Sequence, residues 1–304
     1  MDNFTIKSSD SSKIRQLSSI LRAISPLKHL IFCFDGNEAC DVRIGGKKIK
    51  NEKILPFPYK ESDITSLFKE SKLIGVSKHI QEIRILVEKY AECDKTVLIT
   101  GETGVGKEIV AQDIHSFSRA KYEFVAINCS AMPELLLESE LFGHSRGAFT
   151  GAISDKKGLF EIAENGTVFL DEVNSMPGQM QAKLLRFLQN KKFRKVGGDK
   201  EISVNVRIIA ASNAPLKPLI ERGLFRDDLY YRLAVLPIEI KPLRERKEDI
   251  PCLIKHFCTK KISEVALKKL GEHDWHGNVR ELLNVLERAE VLSEGIEIED
   301  IKID

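Results

Sequence analysis

The 304-residue sequence lacks a long apolar run, a signal-peptide start and an excess of charge of one sign. Its longest apolar runs are short pieces such as residues 30–34, whereas a transmembrane helix needs about 20 residues. The first residues do not show the basic and then apolar pattern of a signal peptide. We therefore expect a cytoplasmic protein that does not contact a membrane.

The net charge and the cysteine spacing argue against two further classes of protein, strongly basic nucleic-acid binders and zinc fingers. The formal net charge is only +2, so the overall charge does not indicate a nucleic-acid binder. The six cysteines include no Cys-x-x-Cys pair, and we expect reduced, mostly buried thiols. The cysteines and histidines between positions 252 and 276 match no familiar zinc-finger spacing.

The pattern along the chain indicates three regions. Residues 1–72 are weakly patterned, and we interpret them as an N-terminal region of uncertain fold, a degenerate regulatory remnant. In residues 73–241, apolar runs alternate with helical patterns, which predicts an α/β fold with a parallel sheet. Residues 242–304 predict a small helical lid without strands. The buried strands are expected at 96–100, 124–127, 168–170, 206–211 and 235–240.

A phosphate-binding motif follows the first of these strands. The pattern G-x-x-x-x-G-K is matched by Gly101, Glu102, Thr103, Gly104, Val105, Gly106 and Lys107. The glycines let backbone N–H groups turn towards a phosphate, and the next helix adds positive potential at its N-terminus. Lys107 is expected to reach the β- and γ-phosphates of a nucleotide. Glu108 occupies the position at which Ser or Thr usually holds Mg²⁺.

Two carboxylates end the strand at 168–170. Asp171 and Glu172 are therefore expected at the carboxyl edge of the sheet, where ligands bind in open α/β folds. Asp171 suits Mg²⁺, directly or through water. Glu172 suits a general base that polarises an attacking water. Together with the phosphate-binding motif, the pair predicts an ATP-hydrolysing site with Mg²⁺.

A third motif carries a family resemblance. Residues 140–152 contain the core Gly147, Ala148, Phe149, Thr150, Gly151 and Ala152. This core resembles the surface loop of bacterial enhancer-binding proteins, the sigma-54-dependent AAA+ activators. The phosphate-binding motif with Glu108 and the segments 225–233, 242–246 and 275–282 are similar to the same family. The resemblance implies an AAA+ P-loop NTPase that uses ATP to remodel sigma-54 RNA polymerase holoenzyme, and that assembles into a ring, expected to be a hexamer.

The resemblance also implies that the loop 147–152 contacts the sigma-54 factor. Its small residues give an adaptable backbone. Phe149 and Thr150 are then expected at the tip, and an exposed aromatic usually marks a partner contact. From spacing alone, a structural turn with Phe149 packed into the core is an equal alternative.

Further site residues follow from the resemblance one position at a time. Arg226 and Arg232 resemble arginines that reach the γ-phosphate of the neighbouring subunit; the alternative is surface ion pairing with nearby aspartates. Asn213 resembles the polar sensor of the γ-phosphate, and Arg280 resembles the sensor on the lid. Asn128 resembles the residue that holds the catalytic glutamate until the partner is engaged.

The sequence also departs from the family pattern. His276 stands where proline is usual, and the lid between residues 251 and 275 is shorter than usual. No receiver pattern precedes the motor and no helix-turn-helix pattern follows it, so we expect no sequence-specific DNA binding by this chain alone. The alternative function is a nucleotide-binding regulatory subunit that modulates a full-length activator's ring. A general AAA+ unfoldase is also open, but the loop 147–152 argues against it.

Overall fold

A computed structural model describes residues 71–119, 121–293, 295, 297, 298 and 300–303, together with four short strands in the first 70 residues. The chain divides into two compact units, Met1–Glu70 and Ser71–Asp304. The strands described in the first unit are β1 (Phe4–Lys7), β2 (Leu30–Cys33), β3 (Arg43–Ile44) and β4 (Lys47–Lys48). They form one sheet in the order β2-β1-β3-β4, in which only the β1–β2 pair is parallel.

The second unit contains the predicted motor. No helix among the described residues is long and apolar enough to cross a membrane. In chain order the elements of this unit are α1 (Lys78–Ala91), β5 (Val97–Thr100), α2 (Lys107–Arg119), β6 (Phe124–Asn128), α3 (Glu134–Phe142), β7 (Gly143–His144), β8 (Lys156–Lys157), α4 (Leu159–Ile162), β9 (Thr167–Asp171), α5 (Gly178–Asn190), β10 (Lys192–Arg194), β11 (Glu201–Ser203), β12 (Arg207–Ser212), α6 (Leu216–Glu221), α7 (Asp227–Leu233), β13 (Leu236–Glu239), α8 (Ile250–Phe257), β14 (Lys261–Ile262), α9 (Glu264–Glu272), α10 (Asn278–Leu292) and β15 (Glu297–Ile298).

A five-stranded sheet forms the centre of the second unit. Its order is β13-β5-β12-β9-β6, and every neighbouring pair is parallel. The predicted parallel α/β fold is therefore confirmed. Because parallel strands end at one edge, the register places Thr100 beside Ser212 and Asn128 beside Asp171. The polar residues that follow these strands consequently meet at a single edge.

The apolar side chains of the sheet alternate between two cores. Leu98, Leu170 and Ala210 lie in one core, whereas Ile99 and Phe169 lie in the other. Both faces are buried against helices, which explains why the strands appear in the sequence as continuous apolar runs rather than as alternating ones.

Among the described residues, the lid contains the α-helices α8, α9 and α10 around a core that includes the fully buried Trp275. The prediction that the lid has no strand is wrong, because β14 pairs in parallel with β15. Each strand is only two residues long, too short to produce a periodic pattern in the sequence. The side chains of Ile298 and Ile301 are buried in the same core, so the segment after α10 closes the lid.

Candidate functional site

The phosphate-binding loop connects β5 to α2 at the carboxyl edge of the sheet. The N–H of Gly101 donates to the carbonyl of Ser212, 3.2 Å away, which ties the start of the loop to the neighbouring strand. Gly104 has a φ of +81°, and a Cβ at this position would lie 2.3 Å from the carbonyl oxygen of Gly277. Only glycine fits there, because both the backbone conformation and the close lid backbone exclude a side chain.

Lys107 is buried at the start of α2. Its Nζ donates to the carbonyl oxygens of Gly101 and Glu102, 2.8 and 2.9 Å away. Burial lowers the pKa of Lys107, and the negative charges of Asp171 and Glu172 oppose that shift. Lys107 follows the loop after β5 and the acidic pair ends β9, so the ammonium and both carboxylates lie at the same edge of the parallel sheet.

The donor groups of the loop fit a phosphate. Among the described residues, the backbone N–H groups of Gly104, Gly106 and Lys107 have no hydrogen-bond acceptor. Unpaired N–H groups at a helix N-terminus, next to a lysine ammonium, form an anion-binding arrangement. The residues present therefore suit the phosphates of a nucleotide.

Asp171 and Glu172 lie at the end of β9, as their position after a strand predicts. Burial raises the pKa of Asp171; the hydrogen bond from the N–H of Glu172 and the charge of Lys107 oppose that rise, and the carboxylates of Glu172 and Glu108 add to it. Nearby carboxylates of like charge favour a cation between or beside them. Among the described residues, no group of three or more Asp, Glu, His or Cys is arranged to hold a metal ion by itself. Mg²⁺ is usually bound by one or two carboxylates plus phosphate oxygens, and Asp171 could supply one such carboxylate.

Glu172 is held by contacts on both carboxylate oxygens. Its backbone is left-handed, with φ of 54°, just before the short 3-10 helix Val173–Ser175. The side-chain amide of Asn213 donates to Oε1 at 3.2 Å, and the hydroxyl of Ser130 hydrogen-bonds to Oε2. Among the described residues, no hydrogen bond joins Asn128 to Glu172; the Oδ1 of Asn128 accepts from the backbone N–H of Ser130 at 2.8 Å.

The lid contacts the phosphate-binding loop through several polar groups. Arg244 makes two hydrogen bonds, of 2.8 and 2.5 Å, to the carboxylate of Glu102. The amide of Asn278 donates to the same carboxylate at 3.1 Å and to the carbonyl of Thr103 at 3.0 Å. Glu102 consequently has its pKa lowered to about 2, chiefly by the hydrogen bond from Arg244. The lid and the loop are thus joined by a network centred on one carboxylate.

Two further contacts complete this connection. The buried guanidinium of Arg246 donates to the carbonyl of Val105 at 3.0 Å. The N–H of Val279 donates to the carbonyl of Gly104 at 3.1 Å. Arg280 follows directly; it is exposed, and its positive charge contributes to the lowered pKa of Lys107. This places the predicted lid sensor beside the loop.

Arg226 and Arg232 lie at the two ends of α7 and are both exposed. Arg226 forms a salt bridge with Asp228 at 2.7 Å, which lowers the pKa of that carboxyl group. In the described part of the chain, no hydrogen bond or ion pair joins either arginine to the phosphate-binding loop. Tyr231 and Val235 are large apolar side chains exposed on the same segment.

The loop 147–152 lies between β7 and β8. Its base is closed by a 2.8 Å hydrogen bond from the N–H of Gly147 to the carbonyl of Ala152, and Ala152 is buried. Phe149 is half-buried, with its ring 5.0 Å from that of His144 in an edge-to-face contact. Thr150 is exposed at the tip. The side chain of Phe149 is therefore neither fully exposed to solvent nor part of the main core.

Sequence reasoning missed several residues of this site. Arg244 and Asn278 lie inside segments that resemble the family, so their motifs were the available signal. Ser130 carried no signal, because a lone serine after a strand is common. Ile153 is 84% exposed beside the loop 147–152, and nothing in its spacing indicated this.

The sheet topology, the phosphate-binding loop and the acidic pair define an ATPase-type domain of the AAA+ class. Residues 73–239 match the family model of the sigma-54 interaction domain, and residues 244–303 match the AAA+ ATPase lid domain. The chain belongs to the sigma-54 interaction domain family.

Two curated relatives illustrate the similarity of this chain to known proteins. The chain is 52% identical over 238 residues to nitrogen fixation protein AnfA of Azotobacter vinelandii, covering 75% of this chain and 45% of that protein. It is 46% identical over 265 residues to the transcriptional regulatory protein FlgR of Helicobacter pylori, covering 84% of this chain and 67% of the relative. The chain thus spans less than half of the AnfA length.

Solved structures agree with the fold. NtrX from Brucella abortus in complex with ATP aligns with a TM-score of 0.70 at 30% identity, covering 99% of this chain and 69% of that chain. Hsp104 in a closed state aligns with a TM-score of 0.53 at 17% identity, covering 80% of this chain and 50% of that chain, and supports the fold alone.

Proposed function

We propose that this chain hydrolyses ATP and uses the reaction to remodel closed complexes of sigma-54 RNA polymerase, which activates transcription. The observation that carries the proposal is the position of Lys107, Asp171 and Glu172 at one edge of the parallel sheet, next to the phosphate-binding loop. Thr150 is exposed on the loop that resembles the sigma-54 contact, and this loop transmits the effect of hydrolysis to sigma-54.

The chemistry is divided among the residues of that edge. The N–H groups of the loop and the ammonium of Lys107 bind the β- and γ-phosphates. Asp171 holds Mg²⁺, which neutralises phosphate charge when bound. Glu172 takes a proton from the water that attacks the γ-phosphorus; the bond from that phosphorus to the bridging oxygen breaks, and ADP and phosphate leave. Asn213 hydrogen-bonds to Glu172. It therefore couples the orientation of the base to the presence of the γ-phosphate.

The active unit in this proposal is a ring, with six subunits as the expected number. Arg226 and Arg232 are exposed at the two ends of α7, which suits arginines that enter a neighbour's site. A cation at the γ-phosphate stabilises the charge of the transferring group. The exposed Tyr231 and Val235 provide apolar surface for the same subunit contact. Arg280 senses the nucleotide from the lid.

The partner is the sigma-54 factor within the polymerase holoenzyme. Gly147 and Gly151 have positive φ and open space around them, so the loop can change shape when a partner binds. Phe149 rests against His144, and Thr150 and Ile153 are exposed. The second candidate, a regulatory subunit in a full-length activator's ring, is supported by the same interface residues. That this chain alone binds no specific DNA sequence stays a prediction.

The experiment that tests the ATPase assignment compares two substitutions. Glu172→Gln removes the base and keeps the shape, so ATP should still bind while turnover falls by about two or more orders of magnitude. Lys107→Ala should weaken ATP binding itself. Binding of a fluorescent ATP analogue and release of phosphate measure the two effects. Hydrolysis at the parental rate by the Gln variant would refute Glu172 as the base.

A further inference from the structure

Three consecutive carbonyl groups of the phosphate-binding loop each accept a hydrogen bond from a residue of the lid. The donors are the guanidinium of Arg246 to the carbonyl of Val105 at 3.0 Å, the side-chain amide of Asn278 to the carbonyl of Thr103 at 3.0 Å, and the backbone N–H of Val279 to the carbonyl of Gly104 at 3.1 Å. The lid therefore fixes the direction of three peptide units in a row.

The direction of a carbonyl also determines the direction of the next N–H group. A trans peptide unit is planar, and its C=O and N–H point in opposite directions. The carbonyls of Thr103 and Val105 face the lid, so the N–H groups of Gly104 and Gly106 face away from it. Neither of these N–H groups has an acceptor among the described residues, and both suit a phosphate. Because glycine allows several backbone conformations, the carbonyl contacts select this one.

Arg246 is itself held firmly. Its side chain is buried, its Nε donates to the carbonyl of Lys241 at 3.0 Å, and its Nη1 lies 3.4 Å from Oδ2 of Asp249. Asp249 is also fully buried and accepts from the N–H groups of Val76 and Ser77, both at 2.6 Å. Hydrogen bonds to charged groups are stronger than neutral ones. The guanidinium therefore has little freedom to follow a movement of the loop.

We propose that Arg246 and Asn278 are positioning residues for ATP binding, which direct the N–H groups of the phosphate-binding loop towards the phosphates by holding its carbonyls. The inference rests on the proposed function, in which this loop binds the β- and γ-phosphates. It gives the lid a role in phosphate binding that does not depend on Arg280, the predicted sensor. Without these contacts the site keeps Lys107 and Glu172 but presents fewer aligned donors, so it binds ATP more weakly and hydrolyses bound ATP at the parental rate.

The test measures ATP binding and hydrolysis by two full-chain variants that each remove one carbonyl contact. Arg246→Lys keeps a positive charge beside Asp249, but a single ammonium cannot also reach Val105. Asn278→Gly removes the amide and keeps the left-handed backbone, with φ of 57°. The Kd and KM for ATP should rise by about fivefold to twentyfold in each variant, and kcat should stay within about twofold of the parental value. The Kd for inorganic triphosphate, which has no base or ribose, should rise by the same factor.

Each variant has a matched control at the opposite edge of the sheet. Arg119 is also a buried arginine; it donates to the carbonyls of Asn165 and Gly166 and pairs with Asp94. Asn165 has a positive φ of 63°, like Asn278. Arg119→Lys and Asn165→Gly should lower the melting temperature, as the lid variants do, but should leave the Kd for ATP at the parental value.

A parental Kd for ATP in either lid variant would overturn the inference. Equal losses of affinity in the control variants would do the same, because weaker binding would then follow from lower stability. The melting temperature without nucleotide shows that a variant is folded, and either lid variant alone decides the question. If the parental chain binds neither ATP nor triphosphate, the proposed function fails as well. ATP binding that Lys107→Ala weakens, together with parental Kd values in Arg246→Lys and Asn278→Gly, overturns the positioning role alone.

Discussion

The carboxylate of Glu102, in the phosphate-binding loop, is paired with the guanidinium of Arg244, in the lid, through hydrogen bonds of 2.8 and 2.5 Å. Asn278 donates to the same carboxylate at 3.1 Å. The position of the lid is therefore coupled to the loop that is expected to bind ATP. Nucleotide binding and lid movement are expected to change together, because any displacement of the loop strains these bonds.

The Glu102–Arg244 pair predicts a pH-dependent contribution to stability. The folded-state pKa of Glu102 is about 2, below the ordinary value of 4.5, so the stabilisation is fully present above pH 4.5 and is lost as pH falls towards 2. Glu102→Gln should lower the melting temperature at pH 6, and its difference from the parental chain should shrink as pH approaches 3. The exposed Glu88→Gln serves as the control. A difference that is constant or grows at acidic pH would contradict the pairing.

Gly104 predicts a selective loss of nucleotide binding. Gly104→Ala adds a Cβ that would lie 2.3 Å from the carbonyl oxygen of Gly277, at a φ of +81° that disfavours alanine. We expect ATP affinity to fall by about tenfold or more while the fold persists, because the loop or the lid must move. Gly271→Ala is the control, since a Cβ there meets no atom within 4 Å. Calorimetric titration with ATP measures both variants, and equal affinities would refute the predicted close contact.

Activity is expected to be shared between subunits. Arg226 and Arg232 act in the neighbour's site in this proposal, so specific activity should rise with protein concentration. Mixing Arg232→Ala with Glu172→Gln subunits should recover part of the ATPase activity, because some interfaces then combine an intact arginine with an intact base. The rate of phosphate release across a dilution series, from nanomolar to micromolar protein, measures this. A flat specific activity, with no recovery on mixing, would argue against a ring.

We expect a substitution in the loop 147–152 to abolish sigma-54 binding without changing ATP hydrolysis. Thr150→Ala leaves every nucleotide-binding group in place, so the ATPase rate should stay within about twofold of the parental rate. Binding of sigma-54 in the presence of ADP and a metal fluoride should be lost. Ser154→Ala, also exposed but beyond the loop core, should bind sigma-54 normally. If Thr150→Ala loses ATPase activity as well, the loop has a structural role.

The positions of the motif 101–107 and of the acidic pair in the fold were predictable from the sequence, because each is a run of consecutive residues. The motif 101–107 and the pair Asp171–Glu172 each follow a strand, and parallel strands end at one edge, so local pattern was enough to place them. Contacts between distant segments were not predictable in this way. Arg244 reaches Glu102 across 142 positions, and Ser130 reaches Glu172 across 42. Only the packing of the folded chain brings such residues together.

Two local features were also missed for physical reasons. The strands β14 and β15 are two residues long, which leaves no periodicity to detect. The position of Phe149 depends on the ring of His144, a contact within a glycine-rich turn whose conformation spacing does not specify. Both alternatives for Phe149 were open from the sequence, and the observed half-buried side chain lies between them.

The most direct test of the proposed function is the isomerisation of a sigma-54 closed complex by the purified chain. Sigma-54 polymerase is bound to a pre-formed promoter, and single-strand-specific footprinting reports open DNA after addition of the protein with ATP. We predict open-complex formation that requires ATP hydrolysis and is absent with Glu172→Gln and with Thr150→Ala. Hydrolysis of ATP at full rate without any opening by the parental chain, over the concentration range in which the ring forms, would contradict the account.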